Sequence, residues 1–494
     1  MENKSPARKP VLWEALIPVL VLISLLTASV LFFGSDSSGG PNQMALILSA
    51  CVAGLIGLRQ GFGWKDLEQG MVDGISLATG AILILLVVGS LIGTWILAGV
   101  VPAMIYWGLQ ILSPQFFYVA AALICALVSL ATGSSWTTVS TIGIALVGIA
   151  GALDLHLGIA AGAIISGAYF GDKLSPLSDT TNLAPAMAGT DLFTHIRHML
   201  WTTVPSMTIS VTLFLVIGLA GGSGGSAGSM DEILAALTQN FNIGLHLLFP
   251  PAVVLVLVMR KMPAFPALLI GALLGGLWAC LFQPAAVLAY AGDSDMGTVG
   301  TLIKGAWMAL FQGYISQSGN AAIDELLTRG GMASMLNTVW LIVSAMMFGG
   351  MMEKTGMLQS IAAGILGFAR STGSLVLSTL ATSIGMNIVA SDQYIAIVVP
   401  GRMYRAEFAR RRLHPKNLSR CLEDAGTLTS PLVPWNTCGA FMAQSLSVAT
   451  ATYLPFCFFN LLNPVISAIY GFTGFTIEKL DEETAPDAES VVVA

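Results

Sequence analysis

Charge is what this chain has least of. Only 10% of its 494 residues are Asp, Glu, Lys or Arg, where a soluble domain carries about 25%. From Gly74 to Leu153 there is none at all. With 55% hydrophobic residues and a mean hydropathy of +0.80, this excludes an ordinary soluble globule and predicts a polytopic all-α membrane protein. A basic surface is missing too. The net charge of −6 points to no nucleic-acid partner. The six Cys include no C-x-x-C pair, and most lie in apolar segments. That excludes a disulfide framework or metal–thiolate site and reads them as small buried side chains. A phosphate-binding loop, a Ser/His/Asp set and metal-ligand spacings are also absent, so the chain reads as neither an enzyme nor a cofactor binder.

What is present is a series of apolar segments near Val11–Phe33, Met44–Leu58, Ile75–Val101, Met199–Ala220, Ile243–Met259, Phe265–Phe282, Met332–Met352 and Tyr453–Tyr470. Each approaches the roughly 20 residues that a spanning helix needs. The N-terminus is basic and lacks a cleavage site, so its apolar segment is a retained first helix. Lys4, Arg8, Lys9, Arg59, Lys65, Arg197, Arg260, Lys261 and the run Arg402–Arg420 mark cytoplasmic loops. The same run suits anionic lipid. Gly221–Met230 reads as a flexible external linker.

Two longer regions, Gln115–Ala188 and Ser371–Ser447, are apolar but interrupted by polar residues. Each contains an Ala-Thr that opens a polar stretch, at Ala131-Thr132 and Ala381-Thr382. Each is followed by Ser-Pro-Leu, at Ser175–Leu177 and Ser430–Leu432. Threaded through the charge bias, the two regions take opposite orientations, as in the inverted repeats of secondary transporters. The expected layout is N-terminal helices (1–73) and a first inverted repeat (74–220) with a re-entrant hairpin near 115–151 and a broken helix near 157–188. An external linker with connecting helices (221–329) follows. A second repeat (330–472) then carries a hairpin near 371–400 and a broken helix near 418–447. A cytoplasmic acidic tail (473–494) reads as disordered. About ten full spans and two hairpins result, with both termini cytoplasmic.

The stretch Gly171–Ala184, GDKLSPLSDTTNLA, concentrates polar chemistry inside an apolar surround. Ionisable groups at membrane depth mark ion or proton pathways. Pro176 removes a helical hydrogen bond and leaves carbonyls free as ligands. Asp179, Thr180 and Asn182 are candidate ligands there. Thr132, Ser134, Ser135 and Thr137 offer hydroxyls from the first hairpin, which suit a hard cation such as Na⁺. Asn387 belongs to the second hairpin; Thr429, Ser430 and Asn436 belong to the second break. The bare Na⁺ site is expected at Asp179, Ser134, Ser135 and Asn182. Asp179 leads as the carboxylate that binds Na⁺ when ionised and a proton when not. Asp172 is the other proton-carrying candidate, or a structural partner of its neighbour Lys173. Glu423 and Asp424 read as the start of the second broken helix. Asp392 divides evenly between a site and a solvated position. Pro434 aligns with Asp179 when the two breaks are matched.

GDKLSPLSDTTNLAPAMAGTD resembles the signature of the NhaC family of Na⁺/H⁺ antiporters, and TLTSPLVPWNTCGA resembles its second-half motif. The resemblance implies the ion-transporter superfamily fold: a scaffold, a mobile transport domain, elevator motion and a homodimer. It implies Na⁺/H⁺ exchange in a bacterial inner (plasma) membrane, among membrane lipids. Members of that family also carry organic solutes, including malate with lactate and some amino acids. A Na⁺-coupled carrier or exchanger of a small organic solute is therefore the alternative.

Overall fold

The computed structural model describes residues 8–221, 227–292, 296–319, 324 and 326–480. The core of the expected linker, at 222–226, and the tail from 481 lie outside the described residues. The described regular structure is helical, apart from isolated bridges Tyr314–Arg329 and Leu413–Lys479. Among the described residues, nine helices are long and apolar enough to cross a membrane, or up to eleven if each bent pair counts as one span. All six Cys are free thiols.

The expected span Ile75–Val101 is divided. Helix Trp64–Leu77 stops at Ala78, and helix Thr79–Leu97 ends before Gly99, whose left-handed φ of +78° closes it. Several of the expected cytoplasmic loops meet one another. The Arg8 amide donates to Gln60 O at 2.9 Å, and the Ser360 hydroxyl donates to Pro10 O at 2.8 Å. Arg411 reaches Ala369 O. Glu478 pairs with Lys416. That part of the tail is docked: the Leu480 amide donates to Arg412 O at 2.9 Å. His195 and His198, either side of Arg197, lie inside helix Leu192–Ala220 and are buried. His195 Nδ1 is 2.8 Å from Ser419 Oγ.

Two helical pairs turn back on themselves. In the first, the chain runs Phe117–Thr132, turns at Gly133–Ser134, and returns through Ser135–Ala152. Gly133 takes φ +70°, which a glycine adopts at little cost. The next helix, Leu157–Leu174, then lies parallel to Phe117–Thr132: Gly167 faces Ala122 and Gly171 faces Ala126. A methyl group at Gly167 or Gly171 would run into those Ala carbonyls, so this small-on-small seam sets the close approach. In the second, Thr372–Val389 and Gln393–Arg410 are antiparallel. The Tyr404 hydroxyl donates to Ser378 O at 3.1 Å and lies 2.7 Å from Thr382 Oγ1. This turn is at Ala390–Asp392, nine residues beyond Ala381. The paired Ala-Thr starts are therefore not equivalent points, and the second arm extends past the expected 400 to Arg410.

Candidate functional site

Each turn meets a helix break. The first break runs from Ser175 to Ser178, between helices Leu157–Leu174 and Asp179–Ala188. Gly133 packs directly on Leu177 and Ser178. Ser178 caps the new helix, accepting from the Thr181 amide at 3.4 Å. In the second half, a π-helical turn Glu423–Thr427 and a short 3₁₀ turn Ser430–Leu432 precede helix Thr437–Leu446. Asn436 caps that helix through the Cys438 amide at 3.0 Å. The Thr437 amide donates to Ser391 O at 3.0 Å, so this break also rests on its hairpin turn.

The two broken helices run antiparallel. Tyr169 OH lies 3.5 Å from Ser430 Oγ, Lys173 reaches Asp424, and Thr180 Oγ1 donates to Glu423 Oε1 at 3.0 Å. Trp136, just past the first turn, stacks on Phe441 beyond the second break, with ring centroids 4.0 Å apart. The breaks and turns thus converge.

A cavity of about 970 Å³ opens at this junction. Thr132, Ser134, Ser135, Thr137, Asp172, Asp179 and Thr180 line one side, with Asp392, Gln393, Tyr394 and Thr437. The other side is Leu77–Ile84 and the stretch Val258–Pro266. Three carboxylates share this space. Asp172 Oδ2 accepts from the Ser135 hydroxyl at 2.6 Å and the Ser135 amide at 3.1 Å, which ties the broken helix to the turn. Asp392 is buried and caps its own helix through the Tyr394 and Ile395 amides at 2.8 and 3.1 Å. It is not solvated. Asp179 is exposed at the first position of its helix, with Tyr394 OH 3.5 Å from Oδ2. The dry surround expected for Asp179 is therefore not what it has. Asp179 sits at a helix start, where the dipole favours a negative charge and leaves it in reach of solvent.

Several expected site residues are not part of the cavity lining. Asn182 donates to Pro176 O at 3.0 Å and Ser178 O at 2.7 Å, so it ties down the break's carbonyls. Asn387 donates to Gly426 O at 2.7 Å and Thr429 Oγ1 at 3.0 Å. Asn436 donates to Asn387 O and Oδ1, both at 3.1 Å. Ser430 donates to Thr427 O at 2.7 Å. These form a closed amide and hydroxyl clasp around the second break.

The proposed Asp172–Lys173 pair does not form. Neighbours on a helix point about 100° apart. Lys173 turns to Asp424 and donates to Asn463 Oδ1 at 2.9 Å. Thr202 Oγ1 donates to the same Asp424 oxygen at 3.0 Å, and Arg420 Nε lies 3.9 Å from Oδ2. Glu423 and Asp424 are fully buried, not at a helix start. Two basic and two acidic side chains, Lys173, Arg420, Glu423 and Asp424, thus sit together in the interior. The signal was an acidic pair in an otherwise apolar segment. The neighbouring Arg run masked it.

The sequence profile of the Na⁺/H⁺ antiporter family matches residues 167–475, which include both breaks and the second hairpin. The chain is 40% identical over 437 residues to the Na⁺/H⁺ antiporter NhaC of Alkalihalophilus pseudofirmus, covering 88% of this chain and 91% of that protein. It is 38% identical to the malate-2H⁺/Na⁺-lactate antiporter of Bacillus subtilis, covering 94% of this chain and 96% of that one. It is 35% identical to the arginine/ornithine antiporter ArcD of Halobacterium salinarum, covering 100% and 98%.

Proposed function

The chain belongs to the Na⁺/H⁺ antiporter family, and we propose that it exchanges Na⁺ for H⁺ at the cavity between its two turns. The observation that carries this reading is Asp172, which reaches from the first break to Ser135 in the first turn. In such a place a carboxylate is stabilised either by a bound cation or by a proton, not by both. One site that alternates between the two loads is an exchanger. Asp172 with Ser134 and Ser135 holds Na⁺ through carboxylate and hydroxyl oxygens. Thr132, Thr137 and Thr180 supply further hydroxyls. Asp179 adds negative charge at the mouth. Asn182, Asn387, Thr429, Ser430 and Asn436 hold the breaks in shape.

The antiparallel crossing of the two broken helices supports an inverted repeat. Turns that end at the cavity support re-entrant hairpins, since irregular backbone at membrane depth survives only against protein or a cavity. The gathered basic loops support a cytoplasmic face carrying both termini. On that orientation the cavity, walled in part by Lys261, opens inward. One block carries the turns and breaks, and another carries Leu77–Ile84 and Val258–Pro266. That division suits elevator motion of the first block past the second. The bacterial inner membrane and a homodimer follow from the resemblance of the two motifs to their family.

A second reading, a carrier of a small organic solute, has support from the size of the cavity and from the malate, lactate and arginine named for relatives. The test is reconstitution in vesicles with a pH dye inside and Na⁺ added outside. Na⁺ alone should make the lumen alkaline. A pH change that needs malate, lactate or arginine would replace the first reading with the second.

A further inference from the structure

Among the described residues lining the cavity, the one that carries positive charge is Lys261, which is exposed. Its backbone is unusual. The Lys261 amide donates to Val258 O at 2.8 Å and the Met262 amide to Leu257 O at 3.1 Å. This is a Schellman closure of helix Phe249–Met259, and its left-handed position normally holds glycine. Lys261 occupies it at φ +64°. A non-glycine residue pays a strain penalty there, and strained positions gather at functional sites. Pro263 and Pro266 follow at once and stiffen the wall that carries the lysine.

The electrostatics are lopsided. Asp172, Asp179 and Asp392 place up to three negative charges around the space, and Lys261 places one positive charge there. None of the three carboxylates has a cation within ion-pair distance among the described residues. Lys261 therefore meets these carboxylates through the field they share and not through a fixed bridge.

We propose that Lys261 is a tethered cation that competes with Na⁺ for the carboxylate side of the cavity and so sets how much Na⁺ is needed to load it. The ammonium offsets part of the negative potential when the site is empty. It also favours release of Na⁺ into the compartment that the cavity faces. A site with three carboxylates and no opposing charge would hold Na⁺ too tightly to turn over. This inference rests on Na⁺ loading at the cavity.

The decisive variants are Lys261→Gly and Lys261→Arg. Glycine removes the charge and relieves the left-handed strain, so the protein should fold at least as well, which its melting temperature checks. Arginine keeps the charge. The half-saturating Na⁺ concentration is measured in vesicles at one pH, first at low ionic strength and then with added choline chloride. Coulomb interaction across a partly wet cavity predicts that Lys261→Gly lowers it about threefold to tenfold at low salt. That shift should shrink as choline chloride screens the charge. Lys261→Arg should match the unmodified protein. An unchanged or raised half-saturation in Lys261→Gly would overturn the proposal. So would Lys261→Arg behaving like Lys261→Gly, because position and not charge would then matter. If the unmodified protein shows no Na⁺-driven exchange, the functional reading itself fails. If it exchanges normally and the glycine variant matches it, only the role of Lys261 fails.

Discussion

The two breaks share one frame and differ in chemistry. In each, a turn with a left-handed residue, Gly133 or Ser391, meets the capping residue of the helix after the break, Ser178 or Asn436. The same 45 positions separate each pair, 133 from 178 and 391 from 436. Across the first junction a carboxylate, Asp172, reaches the turn and opens on the cavity. Across the second an amide, Asn436, reaches the hairpin arm at Asn387 and is closed off from water. A carboxylate accepts only and leaves lone pairs for a cation. A primary amide donates and accepts, and can satisfy itself entirely within protein. The frame is thus used once to hold an ion and once to hold itself.

The strongest way to break this comparison is to make the first junction like the second. Asp172→Asn keeps the shape and one acceptor for Ser135 but cannot ionise. Na⁺-driven pH change should fall below detection, while the protein still inserts and melts near its normal temperature. Exchange at the normal rate in this variant would remove Asp172 from the site.

Next in size is the buried charge cluster that joins the halves. Lys173→Met leaves Asp424 with the Thr202 hydroxyl and with Arg420, at 3.9 Å, as its cation. Removing one partner of a buried pair costs about 3–5 kcal/mol. Thermal or denaturant unfolding in detergent should show that loss. Replacing both Lys173 and Asp424 with apolar residues should recover much of it, because two desolvated charges then disappear together. A double variant as unstable as the single one would mean that the pair does more than neutralise itself.

The second junction should respond through stability first. Asn387→Ala removes one side-chain partner each from Gly426 O, Thr429 and Asn436, while Asn436 keeps the Asn387 carbonyl. Leaving buried polar groups unmatched costs about 1–3 kcal/mol each. The melting temperature should fall, while the half-saturating Na⁺ of the surviving protein stays near normal. A large change in Na⁺ affinity with no loss of stability would make the clasp an ion site in its own right.

Much of this frame was legible in the sequence because membranes simplify the reading. A stretch without charge from Gly74 to Leu153 and the Arg run at 402–412 fix spans and loops with little competition. The repeated Ser-Pro-Leu marked both breaks, because proline cannot continue a helix. Register was harder. The Ser-Pro-Leu match set Pro434 opposite Asp179, whereas the shared caps set Thr437 there. Hydropathy tolerates a slip of three residues, and only the cap geometry fixes it. Partners were harder still. Lys173 adjoins Asp172 in sequence, yet its partner is Asp424, 251 positions away. Adjacency along a helix does not predict contact, and the fold alone brings the two broken helices across each other.

The smallest effect expected is at Asp179, which sharpens the comparison within the first junction. Its carboxylate is exposed, sits at a helix start and has Tyr394 OH at 3.5 Å. Thr437 holds the equivalent place in the second half and carries no charge. If Asp179 only adds to the field at the mouth, Asp179→Asn should raise the half-saturating Na⁺ about twofold to fivefold at low ionic strength, as a screened exposed charge would. The maximal rate should change little, because Asp172 still alternates between Na⁺ and a proton. Adding choline chloride should bring the variant and the unmodified protein together. Loss of all exchange at every Na⁺ concentration would instead place the ion on Asp179. Asp172 would then become the group that fixes the turn, and the roles of the two carboxylates would be reversed.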